Sequence, residues 1–183
     1  MEDNLLAAMA GNGDRDAFAV LFERYRRHVY SVAFKVVLDP DDALDVAQSV
    51  FLKLATKIGQ FNGSGTFRGW LSTMTAREAI DHLRKIGRVG NGDAGTPADT
   101  EPEGLPQTNR DNPAQAFEKS EEIELVSRAM HGLSLQQRAI LVLRLREDLG
   151  PKEIAQRLDI PEKQVRSQTY RGIAKIRETL RRS

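Results

Sequence analysis

The chain contains no cysteine. That excludes disulfide bonds, cysteine-ligated zinc and any sensing of oxidants through its own thiols. The three histidines, His28, His82 and His131, stand far apart, and no HExxH spacing joins them. No metal site is expected from such a set. No stretch reaches the ~18 apolar residues needed to span a membrane. The amino terminus, MEDNLLAAMAGNGD, is acidic and lacks the apolar centre of a secretion signal. The expectation is a cytoplasmic protein with no membrane insertion of its own. GxSxG and Walker patterns are missing as well. The glycines of FNGSGTFRG follow no strand and precede no Lys-Ser/Thr pair, so they do not read as a phosphate loop. No catalytic residue and no cofactor are expected, and the chain does not read as an enzyme. Period-2 alternation is missing throughout, which leaves an all-α fold.

What is present is clearest between Pro151 and Arg182. Pro151 follows Gly150 and suits a first helical position, where its missing N–H costs nothing. Ile154, Ala155 and Leu158 recur at helical spacing. Asp159-Ile160-Pro161 then breaks the pattern, and Pro161 opens a second helix with Glu162 in its first turn. Val165, Ile173, Ile176 and Leu180 give that helix an apolar stripe. A short turn between two such helices fits a helix-turn-helix, which delivers its second helix into the DNA major groove. From Pro161 to Ser183 the chain carries seven Lys or Arg and two acids, while the whole chain has a net charge of only +1. Neutralising phosphate needs that local charge rather than a global one.

Residues 87–113, GRVGNGDAGTPADTEPEGLPQTNRDNP, hold few large apolar side chains. They cannot bury enough surface to offset their ordering entropy and read as a flexible linker. The chain therefore divides into a helical domain over 1–86, a linker over 87–113 and a helix-turn-helix domain over 114–183. In the first domain, Leu5, Leu6 and Met9 predict a short helix ended by Gly11-Asn12-Gly13. Phe18, Leu21, Phe22, Tyr25, Val29, Val32, Ala33 and Val36 share one face of a longer helix. Asp39-Pro40-Asp41-Asp42 is a start signal for a third helix, bearing Val46, Val50, Leu54 and Ile58 with Phe51 beside them. After a loop over Gly59 to Gly65, Thr66 or a neighbour caps a helix with Phe67, Trp70, Leu71, Met74 and Ile80. Further helices are expected over 114–131 and 134–146, the second capped by Ser134.

In order, the first half reads GDRDAFAVLFERYRRHVYSVAFKVV, DPDDALDVAQSVFLKL and FNGSGTFRGWLSTMTAREAIDHLRK. The second reads LSLQQRAILVLRLREDLGPKEIAQRLDIPEKQVRSQTYRGIAKIR. The chain resembles a bacterial RNA polymerase sigma factor of the extracytoplasmic-function group. The first blocks are similar to that family's region 2 and the last to its region 4, with only the linker uncovered. FRGWL ahead of DHLRK, some distance before the helix-turn-helix, is the most restrictive part.

The resemblance implies a role for each block. Asp45, Gln48, Phe51 and Leu52 match the helix that docks on the clamp coiled coil of core RNA polymerase, with Val46, Val50 and Phe51 equally readable as core. Leu44 and Ser49 stand where the family commonly has acids. Phe61, Asn62 and Ser64 match the loop that captures a flipped base of the minus-ten element, and Arg68, Trp70, Arg77 and Arg84 the helix along the melted strand. Trp70 suits either a stacking platform or the core, and Arg77 replaces a common Asn. Lys163, Gln164, Arg166, Ser167 and Arg171 match the helix reading the minus-thirty-five element; Gln can pair bidentately with adenine and Arg with guanine. Lys175, Arg177, Arg181 and Arg182 suit phosphate or solvent. Thr169 and Gly172 depart from the family's Leu and Ala. Gly172 implies a less stable second domain or a close backbone approach. The implied partners are core RNA polymerase, promoter DNA and an anti-sigma factor. A sigma-like decoy that binds an anti-sigma factor without initiating transcription is one alternative, and a plain helix-turn-helix regulator another.

Overall fold

The computed structural model describes residues 2–87 and 128–182. Almost all of the expected linker, and the expected helix over 114–131 up to residue 127, lie outside the described residues; residues 128–131 are helical. The regular elements are α1 (Asp3–Gly11), α2 (Arg15–Val37), α3 (Pro40–Lys57), a 3-10 turn (Ile58–Gln60), α4 (Phe67–Lys85), α5 (Leu135–Arg146), α6 (Pro151–Leu158) and α7 (Glu162–Arg182). No strand occurs among the described residues.

The helix starts follow local chemistry. Asp14 accepts hydrogen bonds from the amides of Asp16 and Ala17, both at 3.0 Å. Asp39 does the same for Asp41 and Asp42, with Pro40 in the first turn of α3. Thr66 Oγ1 caps Gly69 N–H at 3.1 Å. Ser134 and Gln137 form a reciprocal capping box at 3.3 and 3.0 Å. Each such cap is worth about 1 kcal/mol.

Helix α2 is the centre of the first half. It packs on α1, α3 and α4, and on α5 of the second half. Leu21, Val29, Val32, Ala33 and Val36 are wholly buried, with Val46, Val50 and Leu54 from α3 and Phe67 and Leu71 from α4. On α1 the buried residues are Leu6, Ala7 and Ala10, while Leu5 is exposed. Helix α5 is apolar on nearly every side: Leu135, Ala139, Ile140, Leu141, Val142 and Leu143 are all buried. The reason is its position, with α7 on one side and α2 and α4 on another.

The helix-turn-helix forms as expected. Asp159 takes a left-handed conformation (φ 55°) that ends α6. The Pro161 carbonyl accepts from Gln164 and Val165 to start α7. Val165 is fully buried, Ile173 and Ile176 partly, and Leu180 is exposed. Gly172 marks a close approach: a Cβ there would lie 2.7 Å from Leu141 Cδ1 and 3.4 Å from its Cγ. Leu141 is itself buried and has little room to move. Helix propensity favours Gly172→Ala by roughly 1 kcal/mol, but overpacking a filled core costs about 1–3 kcal/mol. Gly172→Ala is therefore expected to lower the melting temperature of the chain. A rise would mean that α7 does not approach Leu141 this closely.

Candidate nucleic-acid interface

The loop after α3 is exposed but shaped. Asn62, Ser64 and Thr66 face solvent. Asn62 Oδ1 accepts from Ser64 N–H at 3.0 Å, so the Asn62 side chain builds the turn as well as lining it. Gly63 and Gly65 take φ of 77° and 82°, which side chains other than glycine rarely adopt. Phe61 is half-buried and packs edge-on to Phe67 at 5.5 Å and tilted against Trp70 at 5.6 Å. Trp70 also lies 5.9 Å from Phe67. It is partly buried and packs against the core, the second of its two expected readings.

The basic residues of α4 divide between two faces. At about 100° per residue, positions seven apart lie within about 20° of each other. Trp70, Arg77 and Arg84 therefore form one stripe, and both arginines are exposed. Arg68 lies nearly opposite that stripe. Its Nε meets Glu147 Oε2 at 3.0 Å, beyond the end of α5.

That ion pair belongs to a seam between the two halves. The Glu147 side chain is 2% exposed, and its Oε1 lies 3.5 Å from His28 Nε2. His28 also meets Ser72 Oγ at 2.7 Å. Burial first, then the charges of Arg68, Arg146 and Lys35, pushes the His28 imidazole down to about 3, so it stays neutral. Burial and Arg146 push Lys35 down to about 8, against the pull of Glu147. One carboxylate thus faces three cationic side chains. Further along the seam, Arg157 Nη1 reaches Thr73 Oγ1 at 3.3 Å. A Cβ on Gly65 would lie 3.3 Å from Arg157 Nη2, and one on Gly69 3.4 Å from Leu149 Cδ2. The second half covers the side of the loop and the start of α4 that Arg68 faces.

On α3, Asp45, Gln48 and Leu52 are exposed at positions i, i+3 and i+7, a single stripe. Leu52 is 74% exposed. Phe51 is half-buried, with its ring 4.6 Å from Phe22 in an edge-on contact. Val46 and Val50 are fully buried and belong to the core, with Leu44 and Ser49 intermediate.

On α7, Lys163, Arg166 and Arg171 are exposed. Arg166 holds Glu162 Oε1 through Nε at 3.0 Å and Nη2 at 2.7 Å. Gln164 is half-buried and donates to Gln136 Oε1 at 2.9 Å, toward α5. Ser167 donates to the Gln164 carbonyl at 3.2 Å and Thr169 to that of Val165 at 2.8 Å. A buried Gln137–Gln168 bond at 2.9 Å stitches α5 to α7. Lys175 Nζ donates to the Gly132 carbonyl at 3.2 Å.

Three residues that sequence reasoning passed over belong to these surfaces. Tyr170 is 78% exposed beside Arg171 and one turn from Arg166. A tyrosine amid basic side chains was a visible signal. Glu147 and Asn4 gave none, because their partners lie 79 and more than 60 residues away.

Comparison with known proteins gives two family matches: Sigma-70 region 2 over residues 21–89 and Sigma-70, region 4 over residues 123–176. The RNA polymerase sigma-H factor of Pseudomonas aeruginosa is 29% identical over 181 residues, covering 98% of this chain and 94% of that one. The ECF RNA polymerase sigma-E factor of Escherichia coli is also 29% identical, over 94% of this chain and 91% of its own. Among solved structures, CnrH in complex with the cytosolic domain of CnrY aligns with a TM-score of 0.65 at 22% identity, over 99% and 98% of the two chains. RpoE in complex with the anti-sigma factor NepR from Bartonella quintana aligns at 0.66 and 19%, over 90% and 96%. These two carry the likeness of fold.

The seam is open to test. Replacing Glu147 by Ala leaves Arg68, Arg146 and Lys35 facing one another without their shared carboxylate. A hydrogen bond to a charged partner is worth roughly 1.5–3 kcal/mol. Glu147→Ala is expected to loosen the seam and raise the radius of gyration in small-angle X-ray scattering. An unchanged radius would show that Leu149 and the α5 side chains hold the seam without the ion pair.

Proposed function

Because the chain belongs to the sigma-70 family and carries its region 2 and region 4 in order, it is a sigma factor for transcription initiation, and we propose how its two halves divide the work. Residues 1–86 form the unit that joins core RNA polymerase and opens DNA. The exposed stripe of Asp45, Gln48 and Leu52, anchored at Phe51, is the docking face; an apolar side chain between polar flanks suits a helix-on-helix contact. Phe61, Asn62 and Ser64 receive a base flipped out of the minus-ten element, where polar groups meet its edge. Trp70 offers a ring face, and Arg77 and Arg84 follow the backbone of the melted strand. Residues 114–183 carry α7 to the minus-thirty-five element, with Lys163, Arg166, Ser167 and Arg171 toward DNA. Gln164 reaches a base only by exchanging Gln136 for it.

The two promoter elements lie roughly 25 base pairs apart, on the order of 85 Å of duplex. Halves that touch through Arg68 and Glu147 cannot occupy both at once. The seam is therefore the resting arrangement, and it parts when polymerase and promoter take the halves separately. Parting frees Arg68 from Glu147. The factor performs no catalytic step of its own and works in the cytoplasm, beside the polymerase. An anti-sigma factor that holds these faces masked is the regulatory partner this reading implies, and the solved RpoE relative is bound to one. The observation that carries the reading is the pairing of both regions on one chain with a basic, outward-facing α7.

Run-off transcription with core polymerase and this chain tests it. Defined transcripts are expected from a subset of promoters and none from core alone. Polymerase binding without transcripts would indicate a decoy instead. A finer test concerns α7. Arg171→Ala is expected to cost about 1–3 kcal/mol and to relax preference at one position of the upstream element. Lys175→Ala is expected to weaken binding evenly across sequences. A base-specific loss at Lys175 with none at Arg171 would reverse the docking of α7.

A further inference from the structure

Helix α1 lies ahead of the region 2 match, which begins at residue 21. It nevertheless touches both ends of the loop over residues 59–66. At its carboxyl end, a Cβ on Gly11 would stand 3.1 Å from Gly59 Cα. At its amino end, the Asn4 carboxamide makes two bonds across the chain. Its Oδ1 accepts from Phe67 N–H at 2.9 Å. Its Nδ2 donates to the Gly65 carbonyl at 3.0 Å. The two partners, one amide and one carbonyl, fix which way the carboxamide points. Phe67 N–H is among the first amides of α4, which have no partner within the helix. Gly65 is a left-handed turn residue whose carbonyl has no regular element to join.

Helix α1 is itself held firmly. Leu6, Ala7 and Ala10 are buried, and Asp3 binds both Arg24 and the Tyr25 hydroxyl. Tyr25 in turn packs edge-on to Phe67 at 5.4 Å. The carboxamide thus ties a rigid helix to the point where the exposed loop enters α4. A site that receives a base needs its groups held within about 0.5 Å by supporting bonds.

We propose that Asn4 is a positioning residue for base capture: by bonding Gly65 and Phe67 together it holds the 61–66 loop in the shape that receives the flipped base. The proposal rests on reading that loop as the minus-ten loop. Asn4 does not touch DNA. It sets where Asn62 and Ser64 stand.

The test uses the full chain with core polymerase. Asn4→Asp keeps size and the bond from Phe67 but sets a carboxylate oxygen against the Gly65 carbonyl. Asn4→Ala removes both bonds. Three quantities are read: permanganate reactivity of the promoter bubble, binding to core polymerase, and binding to a minus-thirty-five duplex. Both variants are expected to reduce promoter opening on the order of ten-fold, the worth of one or two ordinary hydrogen bonds, with the other two quantities unchanged. Hydrogen exchange is expected to speed up across 61–66 in both variants, and at the Phe67 amide in Asn4→Ala, while α2 stays protected. The Asn62→Ala/Ser64→Ala double variant is the control for the loop. If it impairs opening and Asn4→Asp does not, Asn4 has no positioning role. If the double variant opens promoters like the parent, the loop reading fails and the proposal with it. Parallel loss of opening, polymerase binding and duplex binding in the Asn4 variants would also overturn it, since that reports general unfolding.

Discussion

The burial of Phe67 at the first position of α4 is the constraint on which the rest depends. The ring is fully buried, while residues 62–66 immediately before it are exposed. The chain must therefore pass from solvent to core within one residue. Three features make that passage possible. Thr66 caps the helix, Asn4 takes the Phe67 amide, and Tyr25, Phe61 and Trp70 pack around the ring. Burying such a ring contributes about 1.5–3 kcal/mol. The same burial fixes the rotation of α4, and that rotation decides which of its basic side chains face outward.

Helix α4 serves two neighbours as a result. Its Arg68, Gly69 and Thr73 side meets the second half, and its Trp70, Arg77 and Arg84 side is left open. The seam is polar where it matters. A neutral His28, a buried Glu147 and several cations share a small volume, and Glu147 Oε1 finds no hydrogen-bond partner there. Buried charges held this incompletely contribute little net stability, because desolvation offsets much of their attraction. Such a contact suits a surface that must come apart. Within the first half, Glu78 pairs with Lys53 and Asp42 with His82 at 2.9 Å, while in the second the buried Arg138 Nε, like Glu147 Oε1, has no hydrogen-bond partner.

Much of the fold was legible in the sequence because its signals are local. The caps at Asp39, Thr66 and Ser134, the Gly150-Pro151 start and the turn at Asp159 each depend on a few adjacent residues. The stripe on α2 follows from helical period alone. Gly172 implied a less stable helix or a close approach, and Leu141 is the side chain that makes the approach. Long-range facts were not legible. Arg68 and Arg77 look equivalent on a basic helix, yet about 180° of rotation separates them. Nothing near Gln164 in the sequence points to its partner Gln136, 28 positions away. Leu5 looks like core beside Leu6, but one residue of rotation turns it to solvent. Asn4, in an acidic amino-terminal stretch, carries no pattern at all; its meaning lies in an amide and a carbonyl more than sixty positions away.

The central claim is that the two halves rest against each other and part to occupy a promoter. The chain has no cysteine, so two introduced ones give unique labelling positions. Asp81 on the open side of α4 and Ala174 on α7 are both exposed and lie outside every contact described above. With Asp81→Cys and Ala174→Cys carrying a fluorescence donor and acceptor, energy transfer reads the separation of the halves. The account predicts strong transfer in the free chain. With core polymerase and promoter DNA present, transfer should fall almost to nothing, as the halves move apart by tens of ångström. Equal transfer in the free chain and in a transcribing complex would contradict it.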